Sequence, residues 1–192
     1  RVLNGATPAE LALIHDVFMA VLVDPNYSDK SYLVFNLGDI NLFRVYGIEL
    51  AFALSDTLAA TRELFVIAAE QARLGRNHSV PVTLRFVRQA DSLLAMQYGR
   101  DTTMMEIGML VAAPGSQALL ETYERRFIDK FRARPHWGLD LSILKDFKQV
   151  RELFPRADDW YRVYSELNRS GVFNGRITDR LGISIGPAAS EN

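Results

Sequence analysis

Tyr46-Gly47-Ile48-Glu49-Leu50-Ala51-Phe52-Ala53-Leu54 has the clearest strand pattern in the chain. Large apolar side chains alternate in it with glycine, alanine and one glutamate, which is the period of two that a β-strand gives to its two faces. The pattern therefore predicts a half-buried strand. The face toward the core would carry Ile48, Leu50, Phe52 and Leu54, and the other face would carry Gly47, Glu49, Ala51 and Ala53.

Other segments on both sides of this strand also have regular patterns. Residues 31–36, 81–88 and 103–112 are predicted strands, and residues 7–23, 57–74 and 116–131 are predicted helices. Shorter helical patterns follow at 143–154 and 158–168, before a tail rich in glycine at 171–184. The order of elements predicts an α+β fold, in which helices cover one side of an antiparallel sheet and a short helical C-terminal segment follows.

Local signals indicate where the helices begin and which faces are apolar. Thr7, Pro8 and Glu10 combine a capping residue, a proline at the first helical position and a glutamate three residues after the cap. The predicted apolar stripe of the 57–74 helix is Leu58, Thr61, Phe65, Ala68 and Ala72. That of the 116–131 helix is Leu120, Tyr123, Phe127 and Phe131.

Composition and charge exclude several classes of protein. The 192 residues are 48% hydrophobic and 23% charged, as in an ordinary globular protein with one good core. A net charge of −1 provides no field that would gather nucleic acid or an anionic membrane surface. No apolar run reaches the ~20 residues that a membrane span needs. The absence of cysteine excludes a disulfide framework and fits a reducing, cytoplasmic compartment.

The sequence contains no self-contained catalytic signature. Its three histidines, His15, His78 and His136, lie in separate segments, so no metal site is predicted. A Gly-x-Ser-x-Gly nucleophile turn is absent, and so are the glycine-rich loops that bind phosphates. Candidate site residues are therefore sought among charged residues on the strands and in short segments of unusual composition.

Charged residues on or beside the strands provide the first candidates. Arg85 shares a strand face with Thr83, and both of its neighbours in sequence are apolar. The guanidinium is either paired with a carboxylate on a neighbouring strand, such as Glu106, or lines a cleft, because an arginine on this face must meet water or a polar partner. Arg100 and Asp101, which follow a tyrosine-glycine turn, are interpreted as a structural ion pair.

Two segments near the C-terminus combine residues that packing alone rarely brings together. They are Arg134-Pro135-His136-Trp137-Gly138 and Gly171-Val172-Phe173-Asn174-Gly175. His136 is either a site imidazole or a histidine satisfied by a backbone carbonyl beside a packing indole. Asn174 either belongs to the same site or lies in a tight turn, since Asn-Gly is a common turn pair.

Taken in order, these motifs resemble the C-terminal half of the FAD-dependent oxidases of the vanillyl-alcohol-oxidase type. Within that group they are similar to the sugar-lactone and alditol oxidases of the D-arabinono-1,4-lactone oxidase family. The resemblance extends from about residue 46 to residue 184. The segments that carry it are Gly47-Ile48-Glu49-Leu50-Ala51-Phe52, Pro81-Val82-Thr83-Leu84-Arg85, Tyr98-Gly99-Arg100-Asp101-Thr102, His136-Trp137-Gly138-Leu139, Phe173-Asn174 and Leu181-Gly182.

The resemblance implies roles for individual residues. Arg85 and His136 would be catalytic. The same two residues would lie at the flavin, together with Trp137 and Asn174. The substrate-binding residues would be Thr83, Glu49 and Glu106.

Two positions depart from the family pattern, because Thr83 stands where the family usually has a glutamate and Leu139 where it usually has a lysine. In the family, lysine and arginine place positive charge beside the pyrimidine edge of the flavin. There a water-poor pocket makes fixed charge more effective than in water. In this chain Arg85 would supply that charge, together with His136 if its ring is protonated.

The same resemblance implies that the chain has two parts with different roles. Residues 1–140 would form a substrate-binding cap domain, and residues 141–192 would form a helical C-terminal segment that packs back toward an N-terminal flavin-binding domain. The chain begins without methionine and lacks a phosphate loop, so we interpret it as part of a longer enzyme and expect it to be inactive alone.

The predicted function is the substrate-binding part of an FAD-dependent oxidoreductase that acts on CH-OH donors. Its substrate would be a sugar lactone, an alditol or a related alcohol. The alternative is a stand-alone α+β ligand-binding or interaction domain without redox activity.

Overall fold

The computed structural model describes residues 44–186 together with Thr7, Ala9, Glu10, Leu13, Asp16, Val17, Ala20 and Lys30. The predicted strand at 31–36 lies outside these residues, as does most of the predicted helix at 7–23. The described residues from Ala9 to Ala20 are helical, and the predicted cap is present. The backbone N–H and the hydroxyl of Thr7 donate to the Glu10 carboxylate at 2.7 and 2.8 Å, which also lowers the pKa of that carboxyl.

The described elements from residue 44 onward form an antiparallel sheet with helices, so the predicted α+β class is confirmed. They are β1 (Val45–Ala53), α1 (Thr57–Ala72), β2 (Val82–Val87), β3 (Thr102–Leu110), α2 (Ser116–Phe131), β4 (Arg134–Pro135), α3 (Phe147–Leu153), α4 (Ala157–Leu167) and α5 (Arg176–Arg180). The strand order is β2-β3-β1-β4, and each neighbouring pair is antiparallel. The helix predicted at 143–154 is shorter than expected, because the side chain of Asp146 caps α3 by accepting from the N–H of Gln149 at 2.9 Å.

The main core lies between one face of the sheet and the helices α1 and α2. Its sheet side is built from β1 and β3, and its helix side includes the predicted stripe of α2, which is confirmed. The buried side chains are Ile48, Leu50, Phe52, Ala60, Leu64, Ile67, Met105, Ile107, Met109, Leu119, Leu120, Tyr123, Phe127, Phe131 and Ala133. Full burial of a large side chain of this kind contributes roughly 2 kcal/mol, so this layer dominates the stability of the fold.

The stripe predicted for α1 is wrong by one residue. The side chains that face the sheet are Ala60, Leu64 and Ile67, one position before Thr61, Phe65 and Ala68. Phe65 is 67% exposed. The helix carries two adjacent apolar stripes, and spacing alone does not say which of them meets the sheet.

The prediction that β1 is half-buried is also corrected. Leu54 does not lie in the core, because the strand ends at Ala53 and a 3-10 turn begins, which leaves Leu54 44% exposed. On the face away from the helices, Glu49 and Ala51 are buried as well. The chain after β4 folds over this face, where the N–H of Asp140 donates to the carbonyl of Gly47 at 3.3 Å. The central strand is therefore covered on both sides.

A second hydrophobic cluster lies among the C-terminal helices. Its buried members are Leu141, Leu144, Phe147, Val150, Leu153, Phe154, Ala157, Leu181 and Ile183. Leu94, Ile128 and Trp137 pack against it, so this cluster draws on residues from both sides of residue 140. None of the helices in the described part of the chain is long and apolar enough to cross a membrane.

Candidate functional site

A row of polar side chains crosses the sheet on the face opposite α1 and α2. Thr83 on β2 pairs with Glu106 on β3, and Glu106 pairs with Glu49 on β1. The N–H of His136, directly after β4, donates to the carbonyl of Glu49 at 3.0 Å. Residues opposite each other in neighbouring strands point to the same face, so all four strands contribute to one surface. Together with Arg85, these residues are called the polar row below.

Arg85 joins the two carboxylates of the polar row. Its Nη2 lies 3.0 Å from Oε1 of Glu49 and also contacts Oε2 of Glu106. The hydroxyl of Thr83 donates to the same Glu106 oxygen at 3.4 Å. Two carboxylates opposite each other on neighbouring strands repel, and the guanidinium between them offsets that repulsion. The ion pair with Glu106 considered from the sequence is therefore present, and it lies within a shared polar surface.

Glu49 is the most enclosed member of the polar row. Its side chain is 5% exposed, whereas that of Arg85 is 55% exposed. Oε1 of Glu49 accepts no hydrogen bond from the described residues, because the guanidinium lies within ion-pair distance but outside hydrogen-bond geometry. A buried carboxylate oxygen without a hydrogen-bond donor is costly, and such a group in a native fold calls for an explanation.

The loop after β4 holds the imidazole of His136 in one orientation. The backbone N–H of Gly138 donates to Nδ1 at 3.0 Å, so the neutral ring carries its proton on Nε2. Nε2 lies 3.8 Å from Oε2 of Glu49, which is too long for a direct hydrogen bond. A Cβ at position 138 would lie only 3.0 Å from Cε1 of His136. Glycine at position 138 is therefore what allows the backbone to approach the ring.

Trp137 forms part of the wall behind this loop. Its indole N–H donates to the carbonyl of Leu94 at 3.0 Å, and its ring lies 5.0 Å from that of Phe154. These contacts place the indole against the second hydrophobic cluster. It supports the loop that carries His136 and contributes no polar atom to the row.

Asn174 lies in a different hydrogen-bond network, within the C-terminal segment. Its Oδ1 accepts from the hydroxyl of Tyr164 at 2.9 Å, from Nδ2 of Asn168 at 2.8 Å and from the N–H of Ile185 at 3.1 Å. Its Nδ2 donates to the carbonyl of Ile185 at 2.7 Å. The amide is thus engaged at both ends, and it fixes the turn that carries the exposed Phe173.

Arg134 is a structural element of the site that the sequence did not reveal. Its buried guanidinium donates to the carbonyls of Leu153, Met96 and Tyr98 at 2.8 to 3.0 Å. Burial, with a smaller effect of Arg100, lowers its pKa to about 10. The side chain ties β4 to two other segments, two residues before His136. The Arg-Pro pair drew attention in the sequence, but an arginine satisfied by carbonyls has no sequence signature.

The ion pair expected between Arg100 and Asp101 is wrong. Arg100 donates to the carbonyls of Ala51 and Arg132 at 3.0 and 3.3 Å. The carboxylate of Asp101 accepts instead from the N–H of Gln89 at 2.9 Å. Adjacent residues at the end of a loop point in different directions, and each therefore braces a different backbone segment.

The polar row suits a ligand that carries several hydroxyl groups. The two carboxylates accept hydrogen bonds, the guanidinium and the imidazole N–H donate them, and a hydroxyl does both. With a neutral imidazole the row has two negative charges and one positive charge, which favours a neutral ligand over an anionic one. Arg85, Glu106 and His136 are each partly exposed, so the row is open on one side. Among the described residues, no group of three or more histidine or acidic side chains could hold a metal ion.

The fold is an α+β domain that presents a row of polar side chains on one face of an antiparallel sheet. The family model described as D-arabinono-1,4-lactone oxidase matches residues 3–181, and the chain belongs to this family. It is therefore an oxidase-type domain, and members of this family are generally FAD-linked. The resemblance inferred from the sequence motifs is confirmed. The comparison with curated proteins gives no match.

Proposed function

We propose that this chain is the substrate-binding part of an FAD-dependent oxidoreductase that oxidises a hydroxyl-bearing carbon of a sugar lactone, an alditol or a related alcohol. The observation that supports this most strongly is the polar row. It places a buried carboxylate, a second carboxylate, a guanidinium and an oriented imidazole on one open face. The alternative of a ligand-binding domain without redox activity is not favoured by the family match.

The substrate contacts are divided among the strands. Arg85 orients the substrate by donating from the half-exposed side of its guanidinium. Glu106 accepts a hydrogen bond from Thr83 and lies directly opposite it on the neighbouring strand. In this proposal its carboxylate takes the place of the glutamate that the family usually has at position 83. Glu49, whose side chain is 5% exposed, forms the enclosed end of the site, and the half-exposed His136 lies beside it. In this proposal the threonine at position 83 is compensated by a carboxylate on the neighbouring strand.

The open side of the polar row fits the acceptor-rich edge of a flavin, since Arg85 and His136 both present N–H groups there. A bound flavin would supply the oxidant that takes up the hydride. The two neighbouring carboxylates offset much of the Arg85 charge, so in this proposal its main task is orienting substrate. Trp137 supports the wall behind His136, and Asn174 positions Phe173.

We further propose that residues 1–140 act as the substrate cap and that residues 141–192 return toward an N-terminal flavin-binding domain in a cytoplasmic enzyme. The C-terminal helices leave Leu167, Val172 and Phe173 exposed. Neighbouring exposed apolar side chains are typical of a surface that meets another domain. In this arrangement the chain by itself would not turn over substrate.

The complete gene product provides the test. We expect a yellow protein with flavin absorbance that bleaches when D-arabinono-1,4-lactone is added without oxygen. The 192-residue chain alone should bind no flavin and show no turnover. A complete gene product without flavin, or one whose flavin is not reduced by any lactone, alditol or related alcohol, would contradict the proposal.

A further inference from the structure

We propose that Glu49, and not His136, accepts the proton of the substrate hydroxyl, while His136 donates a hydrogen bond from Nε2 to the oxygen of the same hydroxyl. This inference rests on the proposed function and assigns the proton transfer within that site. The geometry around His136 leads to it.

The imidazole of His136 lacks an accessible lone pair. Nδ1 already accepts the N–H of Gly138 at 3.0 Å, and in the neutral ring Nε2 carries the proton. Taking up a proton at Nδ1 would turn an acceptor into a donor that faces a backbone N–H. The backbone at Gly138 lies so close to the ring that even a Cβ would be crowded against Cε1. His136 is therefore built to donate at Nε2.

The carboxylate of Glu49 has the complementary property. An ionised carboxylate only accepts hydrogen bonds. Oε1 of this buried group lies 3.0 Å from Nη2 of Arg85, and Oε2 is the oxygen that faces Nε2 of His136. The 3.8 Å between Nε2 of His136 and Oε2 of Glu49 is too long for a direct bond, but a group that accepts from one and donates to the other could bridge the two. A hydroxyl group does both.

With Glu49 as the proton acceptor, oxidation of the hydroxyl needs no second base. The substrate O–H bond breaks and its proton moves to Glu49. A bound flavin would supply the two-electron oxidant that takes up the hydride when the C–H bond breaks. A carbon–oxygen double bond forms. When Glu49 is neutral, Arg85 keeps an ionic partner in Glu106, so the guanidinium stays in place. Release of the proton from Glu49 to water completes the cycle.

The first test is the tautomer of His136, which does not depend on turnover. The imidazole nitrogens are observed by NMR of the nitrogen-15-labelled chain. The chain has three histidines, and the signal that disappears in a His136→Gln variant is that of His136. We expect the Nε2–H tautomer at neutral pH. Gly138→Ala should shift or broaden that signal, because its Cβ collides with the ring. A signal from the Nδ1–H tautomer would overturn the proposal.

The second test compares variants of the complete gene product. Glu49→Gln should lower kcat by a factor of roughly 100 or more, with a much smaller change in KM for D-arabinono-1,4-lactone. Glu49→Asp should recover part of the rate. His136→Gln, which keeps an N–H donor, should lose less in kcat than Glu49→Gln and raise KM.

The spectrum of bound flavin in each variant checks that the site is intact. A Glu49→Gln enzyme that keeps its rate, or a His136→Gln enzyme that loses as much as Glu49→Gln, would overturn the assignment while leaving the proposed function in place. A complete gene product that binds no flavin would overturn both.

Discussion

Glu49 and Glu106 lie directly opposite each other on β1 and β3, and the guanidinium of Arg85 contacts both carboxylates. Like charges at opposite positions of neighbouring strands destabilise a sheet unless a cation lies between them. One of the two carboxylates is enclosed and the other is half-exposed. The guanidinium offsets the repulsion between them, and in the proposed function the same three groups also contact the ligand.

Arg85→Ala removes the cation between two carboxylates. Because the guanidinium is half-exposed, we expect a loss of only about 1 kcal/mol in the free energy of unfolding of the chain. In the complete gene product the same change should lower turnover at least tenfold. Urea denaturation and steady-state kinetics measure the two effects. Arg125→Ala, which breaks an exposed pair with Glu121 on α2, is the control and should change neither. Unchanged turnover in Arg85→Ala would remove Arg85 from the site.

Glu124 on α2 should make the stability of the chain depend on pH. Burial, together with the nearby Asp140 and Glu121 carboxylates, raises its pKa to about 8. The folded chain then holds a proton that the unfolded chain releases above its ordinary pKa. Stability should therefore fall as the pH rises from about 4.5 to about 8, by up to about 1.4 kcal/mol per pH unit.

Glu124→Gln tests this expectation, since a neutral amide of similar shape removes the titration. The variant should be more stable than the parent at pH 8, and the difference should shrink toward pH 5. Glu166→Gln, which changes an exposed carboxylate on α4, is the control and should keep the slope. A parent protein whose denaturation midpoint does not change over this range would show that Glu124 titrates normally.

The two apolar stripes of α1 should differ sharply in their contribution to stability. Ile67 is fully buried against the sheet, and Ile67→Ala should cost about 2–5 kcal/mol because it leaves a cavity. Phe65 is mostly exposed, and Phe65→Ala should change stability by less than about 0.5 kcal/mol. Thermal or chemical denaturation of the two variants distinguishes the stripes. Equal losses would mean that the outer stripe is also packed against a part of the chain.

Asn174→Ala should loosen the end of the C-terminal segment. The change leaves the hydroxyl of Tyr164 and the N–H of Ile185 without their acceptor, at a cost of about 1–3 kcal/mol. Hydrogen exchange at the amide of Ile185 should become faster. Asn174→Asp keeps the acceptor oxygen but turns a second oxygen toward the carbonyl of Ile185, so it should also be less stable than the parent. If the NMR signal of His136 also changed in Asn174→Ala, the two networks would be coupled more directly than their separate contacts indicate.

The sequence predicted the fold class and most of the strands, because the alternation in β1 and the apolar spacing of α2 are strong local signals. It could not predict which stripe of α1 faces the sheet, since both stripes have helical spacing and only tertiary contacts choose between Ile67 and Phe65. The pairing of β1 with β3 is also non-local. That pairing puts Glu106 beside Glu49, which the candidate residues alone did not reveal.

The contacts within the candidate site were also only partly predictable from the sequence. His136 was recognisable as a candidate because its neighbours are unusual. Its orientation depends on a backbone N–H at Gly138, and an N–H is present in almost every residue. Arg134 was also visible in the motif, but its three carbonyl acceptors come from segments far apart in sequence. Such contacts appear only when the chain is folded.

The central claim is that the polar row binds the substrate hydroxyl at the flavin, and a crystal structure of the complete gene product with D-arabinono-1,4-lactone tests it most directly. We predict that one hydroxyl oxygen of the lactone lies within about 2.6–3.2 Å of both the Glu49 carboxylate and Nε2 of His136. Arg85 should contact the same ligand, and the flavin should lie on the open side of the row. A lactone bound elsewhere, with the polar row turned away from the flavin, would contradict the account.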